Sequence, residues 1–289
     1  MSSRPFAQVI GDPIAQSKSP IIHGFWLEKL GIDADYTALQ VPAGELSAYI
    51  DQVSSDPHWR GTNVTMPLKH EALARADIAH SAARRIGVSN TLVPGSGRTN
   101  VQVGAFNTDG VGFLEPLRED LSRKHYYRMA RVLGTGGAAR AIVTALYDQG
   151  FTLVLAGRNP DKARAMLDEL APEGDHHAIA LDHFAKPTDF AFDDREGCFD
   201  LIVNASPLGM SGQPPLMFDW SHAPPGSVVY DIVTSPLDTA FLEGAREAGF
   251  RTLDGYHMLI GQAAAAFEKF FGAPAPREHD AELRERLMG

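Results

Sequence analysis

The run Gly134-Thr135-Gly136-Gly137-Ala138-Ala139 lies between an apolar stretch and an amphipathic one, so Gly134, Gly136 and Ala139 fill the pattern G-x-G-x-x-G/A. That spacing suits a pyrophosphate. The first glycine permits a tight turn, the second lets backbone approach the anion, and a small third residue allows close packing of helix on strand. Helix N–H groups, with Gly137 and Ala138 at the helix start and Thr135 in the turn, then face the phosphates. An ordinary glycine-rich turn is the plain alternative, and the strand before it and helix after it weigh against that. In chains that bind NAD, an acidic side chain about 20 residues further on accepts the ribose 2′-hydroxyl. Here the next strand ends at Ala156-Gly157-Arg158-Asn159 with no acid at its tip, while Arg158 and Lys162 could pair with a 2′-phosphate. The loop therefore leans to NADP, with NAD as the alternative. A solvated basic pair beside Asp161 is the bland reading.

Upstream, Ser17-Lys18-Ser19-Pro20, Gly61-Thr62-Asn63-Val64-Thr65-Met66-Pro67-Leu68-Lys69, Ser89-Asn90-Thr91 and Asn107-Thr108-Asp109-Gly110 gather hydroxyl, amide and carboxylate groups in predicted turns. Each alone is ordinary turn capping. Together they suit a small polyol acid better than a large aromatic ligand. The 11 histidines show no paired spacing with cysteine, and His176-His177 lies in a polar stretch, so no metal site is expected.

Positioning these groups requires alternating strands and helices, and short apolar runs do alternate with amphipathic stretches from end to end. The fold class expected is α/β with mostly parallel sheets. In the first half, strands are expected at Ala7 to Gly11, Tyr36 to Val41, Gly61 to Met66 and Val101 to Ala105. Helices are expected at Ile21 to Leu30, Gly44 to Val53 and Lys69 to Ile86. The charged stretch Arg118 to Met129 marks a change of character before the second half. There, strands are expected at Arg131 to Leu133, Thr152 to Ala156, Leu201 to Val203 and Val228 to Tyr230, and helices at Ala138 to Asp148, Asp161 to Leu170 and Thr239 to Ala248. Ala171 to Gly197 reads as polar and irregular. Met258 to Phe271 is an apolar helix whose row Leu259, Ala263, Ala266, Phe267 and Phe270 needs a partner surface.

The chain has 289 residues, enough for roughly two domains that each bury a core. One cysteine, Cys198, excludes an internal disulfide and agrees with a cytoplasmic protein. A net charge of −10 argues against nucleic acid as the main partner. No apolar run approaches the roughly 20 residues that cross a bilayer, and Met1 to Phe6 has no signal-like core, so no membrane partner is expected.

Taken in order, these motifs resemble the shikimate dehydrogenase family. The resemblance runs from Ile10-Gly11-Asp12-Pro13-Ile14, through Asn204-Ala205-Ser206-Pro207-Leu208-Gly209-Met210, to Asp254-Gly255-Tyr256-His257-Met258-Leu259-Ile260-Gly261-Gln262. It implies two domains: an α/β substrate-binding domain at 1–108 plus 258–289, and a Rossmann-type NADP-binding domain at 109–257, with a cleft between them and a last helix returning to the first. It implies NADP-dependent, reversible reduction of 3-dehydroshikimate to shikimate, a small-molecule substrate, and a homodimer left open.

Carried over by position, Ser17 and Ser19 would hold the substrate carboxylate, Thr65 would be a further contact, and Asn63, Asn90 and Gln262 would bind ring hydroxyls. Lys69 and Asp109 match the catalytic pair. Gly134 to Arg140, Arg158 to Lys162 with Asn159 among them, Ile232 and Gly255 match the cofactor contacts. The chemistry is coherent, because oxidising a secondary alcohol removes a hydride and a hydroxyl proton, and a positioned base typically contributes about 10²–10⁴-fold. A carboxylate beside an ammonium favours the charged form, so Lys69 and Asp109 are read as a coupled unit with the proton carrier left open.

Two positions depart from the family pattern. Thr234 stands where a tyrosine is usual, and the longer segment Thr99 to Phe106 puts the apolar Phe106 where a polar residue is common. Both bear on which ring is bound, so quinate or a related analogue is the nearest alternative substrate. A methylenetetrahydrofolate dehydrogenase would want a roomier aromatic site. A non-catalytic nucleotide sensor would have no need of Lys69, Asp109 and the two serines together.

Overall fold

The computed structural model describes residues 4–95, 102–192 and 195–289, and the chain forms two compact units, 1–108 with 260–289 and 109–259. The first unit contains β1 (Phe6–Gly11), α1 (Ser19–Leu30), β2 (Asp35–Gln40), α2 (Leu46–Ser54), β3 (Trp59–Val64), α3 (Lys69–Arg75), β4 (Ile78–Ala79), α4 (Ser81–Ile86), β5 (Thr91–Pro94) and β6 (Val103–Phe106). Its sheet has the order β2-β1-β3-β5-β6-β4. Strands β1, β2 and β3 run parallel, while β5 is antiparallel to both neighbours.

The expected helix from Lys69 to Ile86 is in fact two short helices with a strand between them. Its alanines favour a helix, but Ala76 turns extended (φ −72°, ψ 143°), and Asp77 joins β6. The Asp77 N–H donates to the Val103 carbonyl at 2.9 Å, and its carboxylate accepts from the Val103 N–H at 2.7 Å. Pairing with a distant strand thus outweighs local propensity. Thr91, read as part of a turn, begins β5. Val101 and Thr99, in the expected strand and the long segment before Phe106, lie outside the described residues.

The second unit contains α5 (Asp109–Leu114), α6 (Arg118–Ser122), β7 (Tyr127–Leu133), α7 (Gly137–Asp148), β8 (Thr152–Gly157), α8 (Pro160–Leu170), β9 (His177–Ala180), β10 (Cys198–Asn204), β11 (Val228–Asp231), α9 (Ala240–Glu247) and β12 (Arg251–Leu253). Its sheet, β12-β11-β10-β7-β8-β9, is parallel throughout. The order reverses direction at β7, the doubly wound arrangement in which ligands bind outside the carboxyl ends of the central strands. Strand β9 falls inside the stretch expected to be irregular. It is a short edge strand that pairs with β8 alone among the described residues, so its pattern carries little signal.

Helix α10 (Gly255–Phe271) begins in the second unit and ends in the first, followed by α11 (Asp280–Met288). In the first unit its row Ala263, Ala266, Phe267 and Phe270 is at most 3% exposed, and the Phe267 ring meets Trp26 edge-on at 5.5 Å. Burying a phenylalanine of this kind contributes roughly 1.5–3 kcal/mol, which supplies the partner surface that the row requires. Helix α11 is tied to α1 by Lys29–Glu282 (2.6 Å) and Arg286–Glu28 (2.9 Å). No helix among the described residues is long and apolar enough to cross a membrane.

Candidate active site

In the first unit, polar residues from three of the stretches singled out, at Asn63, at Asn90 and Thr91, and at Thr108, meet in one buried network. Register places Asn63 of β3 opposite Thr91 of β5, so their side chains lie on the same face. The Tyr36 hydroxyl donates to Asn63 Oδ1 at 2.6 Å, and Asn63 Nδ2 donates to Thr91 Oγ1 at 3.2 Å and to the Asn90 carbonyl at 3.3 Å. Thr91 Oγ1 donates to Asn90 Oδ1 at 2.9 Å, which also accepts from the Thr108 N–H at 2.9 Å. Asn90 Nδ2 then donates to Thr108 Oγ1 at 2.9 Å and to Gln262 Oε1 at 3.4 Å. Each amide is thereby held in one orientation, since reversing it would set acceptor against acceptor or donor against donor.

Ser17 lies in the turn before α1 and Ser19 is the first residue of that helix, its N–H donating to Ser17 Oγ at 3.3 Å. Lys18, between them, donates to the Leu287 carbonyl at the end of α11 at 3.1 Å. Thr65 is half-buried in the turn after β3, and its N–H donates to the Ile10 carbonyl at 2.9 Å. Lys69 opens α3 and is half-buried, with its carbonyl accepting from the Ser89 N–H at 2.9 Å. The Phe106 ring is sandwiched between His80, stacked at 3.7 Å, and the Lys269 ammonium at 4.2 Å from its centroid. Its apolar character serves that sandwich. Asp109, 4% exposed, is the first residue of α5 in the second unit.

The second unit carries the glycine loop at the carboxyl end of β7. Gly134 has φ +129°, and a Cβ there would lie 2.6 Å from the Ala205 carbonyl oxygen, so only glycine fits. Among the described residues nothing lies within 4 Å of a Cβ placed on Gly136, which leaves the N-terminus of α7 open to an incoming anion. Ala139 is fully buried against the sheet, while Thr135, Gly137 and Ala138 are half-buried at the rim. Arg158 and Lys162 are exposed at the end of β8 and the start of α8, with no carboxylate partner among the described residues. Asn159 caps α8, its Oδ1 accepting from the Asp161 and Lys162 N–H groups at 2.9 and 3.2 Å. A free helix terminus and two free cations at adjoining strand ends suit a dinucleotide with an additional phosphate.

Ile232 and Thr234, both half-buried, follow β11 and are held by residues to which the sequence assigned no role. Asp231, fully buried, lies opposite Asn204 and accepts from Asn204 Nδ2 at 3.0 Å, the Thr239 hydroxyl at 2.7 Å and the Val233 N–H at 2.9 Å. Burial pushes its carboxyl above the usual range, against those three donors. The Ile232 N–H donates to the Asn204 carbonyl at 3.1 Å. A Cβ on Gly255 would lie 2.2 Å from the Val233 carbonyl oxygen, so α10 starts in backbone contact with this segment. A lone acid ending an apolar strand was the available signal for Asp231. No group of three or more metal-ligating side chains occurs among the described residues.

Residues 9–92 match the model of the shikimate dehydrogenase substrate binding domain, and residues 255–282 that of the shikimate 5′-dehydrogenase C-terminal domain. A shikimate dehydrogenase (NADP(+)) of Sphingopyxis alaskensis is 46% identical over 98% of this chain and 97% of its own. The chain belongs to the shikimate dehydrogenase family. Among solved members, the shikimate 5-dehydrogenase of Thermus thermophilus in complex with NADP(H) and shikimate superposes with a TM-score of 0.78. It is 32% identical, over 98% of this chain and 99% of that one. The likeness extends to a 5-ketofructose reductase of a Gluconobacter species, with TM-score 0.80 and 25% identity over 99% of this chain and 100% of that one.

Proposed function

We propose that this protein is an NADP-dependent shikimate dehydrogenase that interconverts 3-dehydroshikimate and shikimate. The observation that carries the reading is the buried network joining Tyr36, Asn63, Thr91, Asn90, Thr108 and Gln262, in a chain so similar throughout to an NADP-dependent shikimate dehydrogenase. Ser17 and Ser19 receive the carboxylate, and Thr65 is a further substrate contact. Asn63, Asn90 and Gln262 hold the ring hydroxyls in amides that cannot reverse. Lys69 and Asp109 handle the hydroxyl proton as the alcohol becomes a ketone. When bound, NADP supplies the acceptor of the hydride. Gly134 to Ala139, Ile232 and Gly255 shape its seat, and Arg158 with Lys162 meets the 2′-phosphate. The single cysteine agrees with a reducing cytoplasm as the compartment.

The test is a set of steady-state rates with shikimate and quinate, each with NADP and with NAD. Shikimate with NADP should be the most efficient pair, and no turnover of shikimate with either cofactor would overturn the reading. NADP preference should fall on the two cations, because charge-assisted contacts to phosphate outweigh neutral ones. The double change Arg158→Ala and Lys162→Ala should erase most of that preference and leave the NAD rate nearly unchanged. Equal efficiency of the unmodified protein with both cofactors would remove the role from this strand end.

A second substrate is favoured by one observation, the small half-buried Thr234 in the segment after β11. A threonine there leaves more room than a phenol and still offers a donor and an acceptor, so quinate should be rejected only weakly. Thr234→Tyr should shift the ratio of kcat/KM toward shikimate. An unchanged ratio would place Thr234 outside the pocket.

A further inference from the structure

Tyr36 carries a hydroxyl that the proposed chemistry does not use, and it occupies an unusual position. Its OH donates to Asn63 Oδ1 at 2.6 Å. Tyr36 lies on β2 and Asn63 on β3, and in the reading above Asn63 holds a ring hydroxyl of the substrate. The ring itself is fixed on its other side by His23, which lies parallel to it with centroids 3.9 Å apart. His23 is fully buried among Trp26, Phe267 and Phe270, and among the described residues neither of its ring nitrogens has a hydrogen-bond partner.

Burying an imidazole without partners costs stability, and an aliphatic side chain would avoid that cost. The stack gives the position a different use, since a flat ring flush against Tyr36 prevents the phenol from swinging away from Asn63. Asn63 in turn has both amide protons committed, to Thr91 Oγ1 and the Asn90 carbonyl, so the remaining lone pair of Oδ1 is its free hydrogen-bonding capacity among the described residues. The hydroxyl of Tyr36 determines where that lone pair points.

We infer that Tyr36, clamped by His23, is a positioning residue for substrate recognition: its hydroxyl orients Asn63 so that the free lone pair of Oδ1 meets a ring hydroxyl. The inference rests on the proposed shikimate dehydrogenase activity, because it assigns Asn63 to substrate.

Tyr36→Phe separates the hydroxyl from the ring, keeping the stack on His23 and the packing against Phe270. KM for shikimate should rise about tenfold, the effect of losing one hydrogen bond of ordinary strength, while kcat changes less than about twofold and KM for NADP stays the same. A purely structural role would lower the melting temperature and the active fraction without moving KM. The variant is also made in an Asn63→Ala background, where the hydroxyl has nothing left to align. There it should add almost nothing to the KM increase already caused by Asn63→Ala. An unchanged KM in a folded Tyr36→Phe protein, or KM effects that simply multiply in the double variant, would overturn the inference. Failure of the wild type to oxidise shikimate is a separate result that bears on the activity, whereas a wild type that turns over beside an indistinguishable variant bears on Tyr36 alone.

Discussion

Lys69→Ala is expected to lower turnover of shikimate roughly 10²–10⁴-fold while leaving NADP binding intact. In barrier terms the loss is about 3–5 kcal/mol, the range that a positioned proton-transfer group supplies. The fold should survive, because Lys69 opens α3 and its structural contact with the Ser89 N–H is made by a backbone carbonyl that alanine keeps. NADP binding should survive because Gly134, Arg158 and Lys162 belong to the other compact unit. Steady-state kcat and a fluorescence titration with NADPH give both quantities. Turnover near wild type would remove Lys69 from the chemistry, and loss of cofactor binding would mean that the substitution disturbs more than the proton.

Acid should destabilise the first unit through one residue. Burial lowers the His23 imidazole from 6.5 to about 3, with no acidic side chain in its aromatic surroundings to hold the charged form. Above pH 6.5 the ring is neutral whether the chain is folded or not, so it adds no pH dependence. Below that, the unfolded chain binds a proton that the folded one refuses, and stability falls by about 1.4 kcal/mol per pH unit until the folded value is reached. The loss from this group approaches about 5 kcal/mol near pH 3, a large share of the 5–15 kcal/mol typical of a folded domain. Urea unfolding at pH 7, 5.5 and 4.5 for wild type and His23→Leu isolates the effect, since every other titrating group is common to both. The stability difference should move in favour of the leucine variant as pH falls. A difference that stays constant with pH would mean that His23 does not titrate on unfolding.

Much of this protein could be read along the chain, for reasons that are local. A glycine loop between an apolar strand and an amphipathic helix identifies itself, because Gly134, Gly136 and Ala139 meet requirements set within a few residues. The absence of an acid after β8, with Arg158 in its place, is equally local. The apolar row of α10 showed that a surface had to cover it, although only the folded chain put Trp26 and Tyr36 there.

Tertiary structure decided whatever depends on residues far apart in sequence. Asp77 leaves a helix-forming stretch because β6 offers its backbone partners, and β9 is a strand because β8 lies beside it. The polar residues of the first unit were visible as separate clusters, but their connection was not. Nothing in the strand Asp35 to Gln40 says that the hydroxyl of Tyr36 will meet an amide 27 residues away, or that an unpaired histidine will lie flat against its ring. Asp231 and Asn204 are likewise joined by a strand register that no local pattern carries. Residue types thus specified the chemistry available to the chain, and long-range pairing of strands and side chains determined which of those groups face one another.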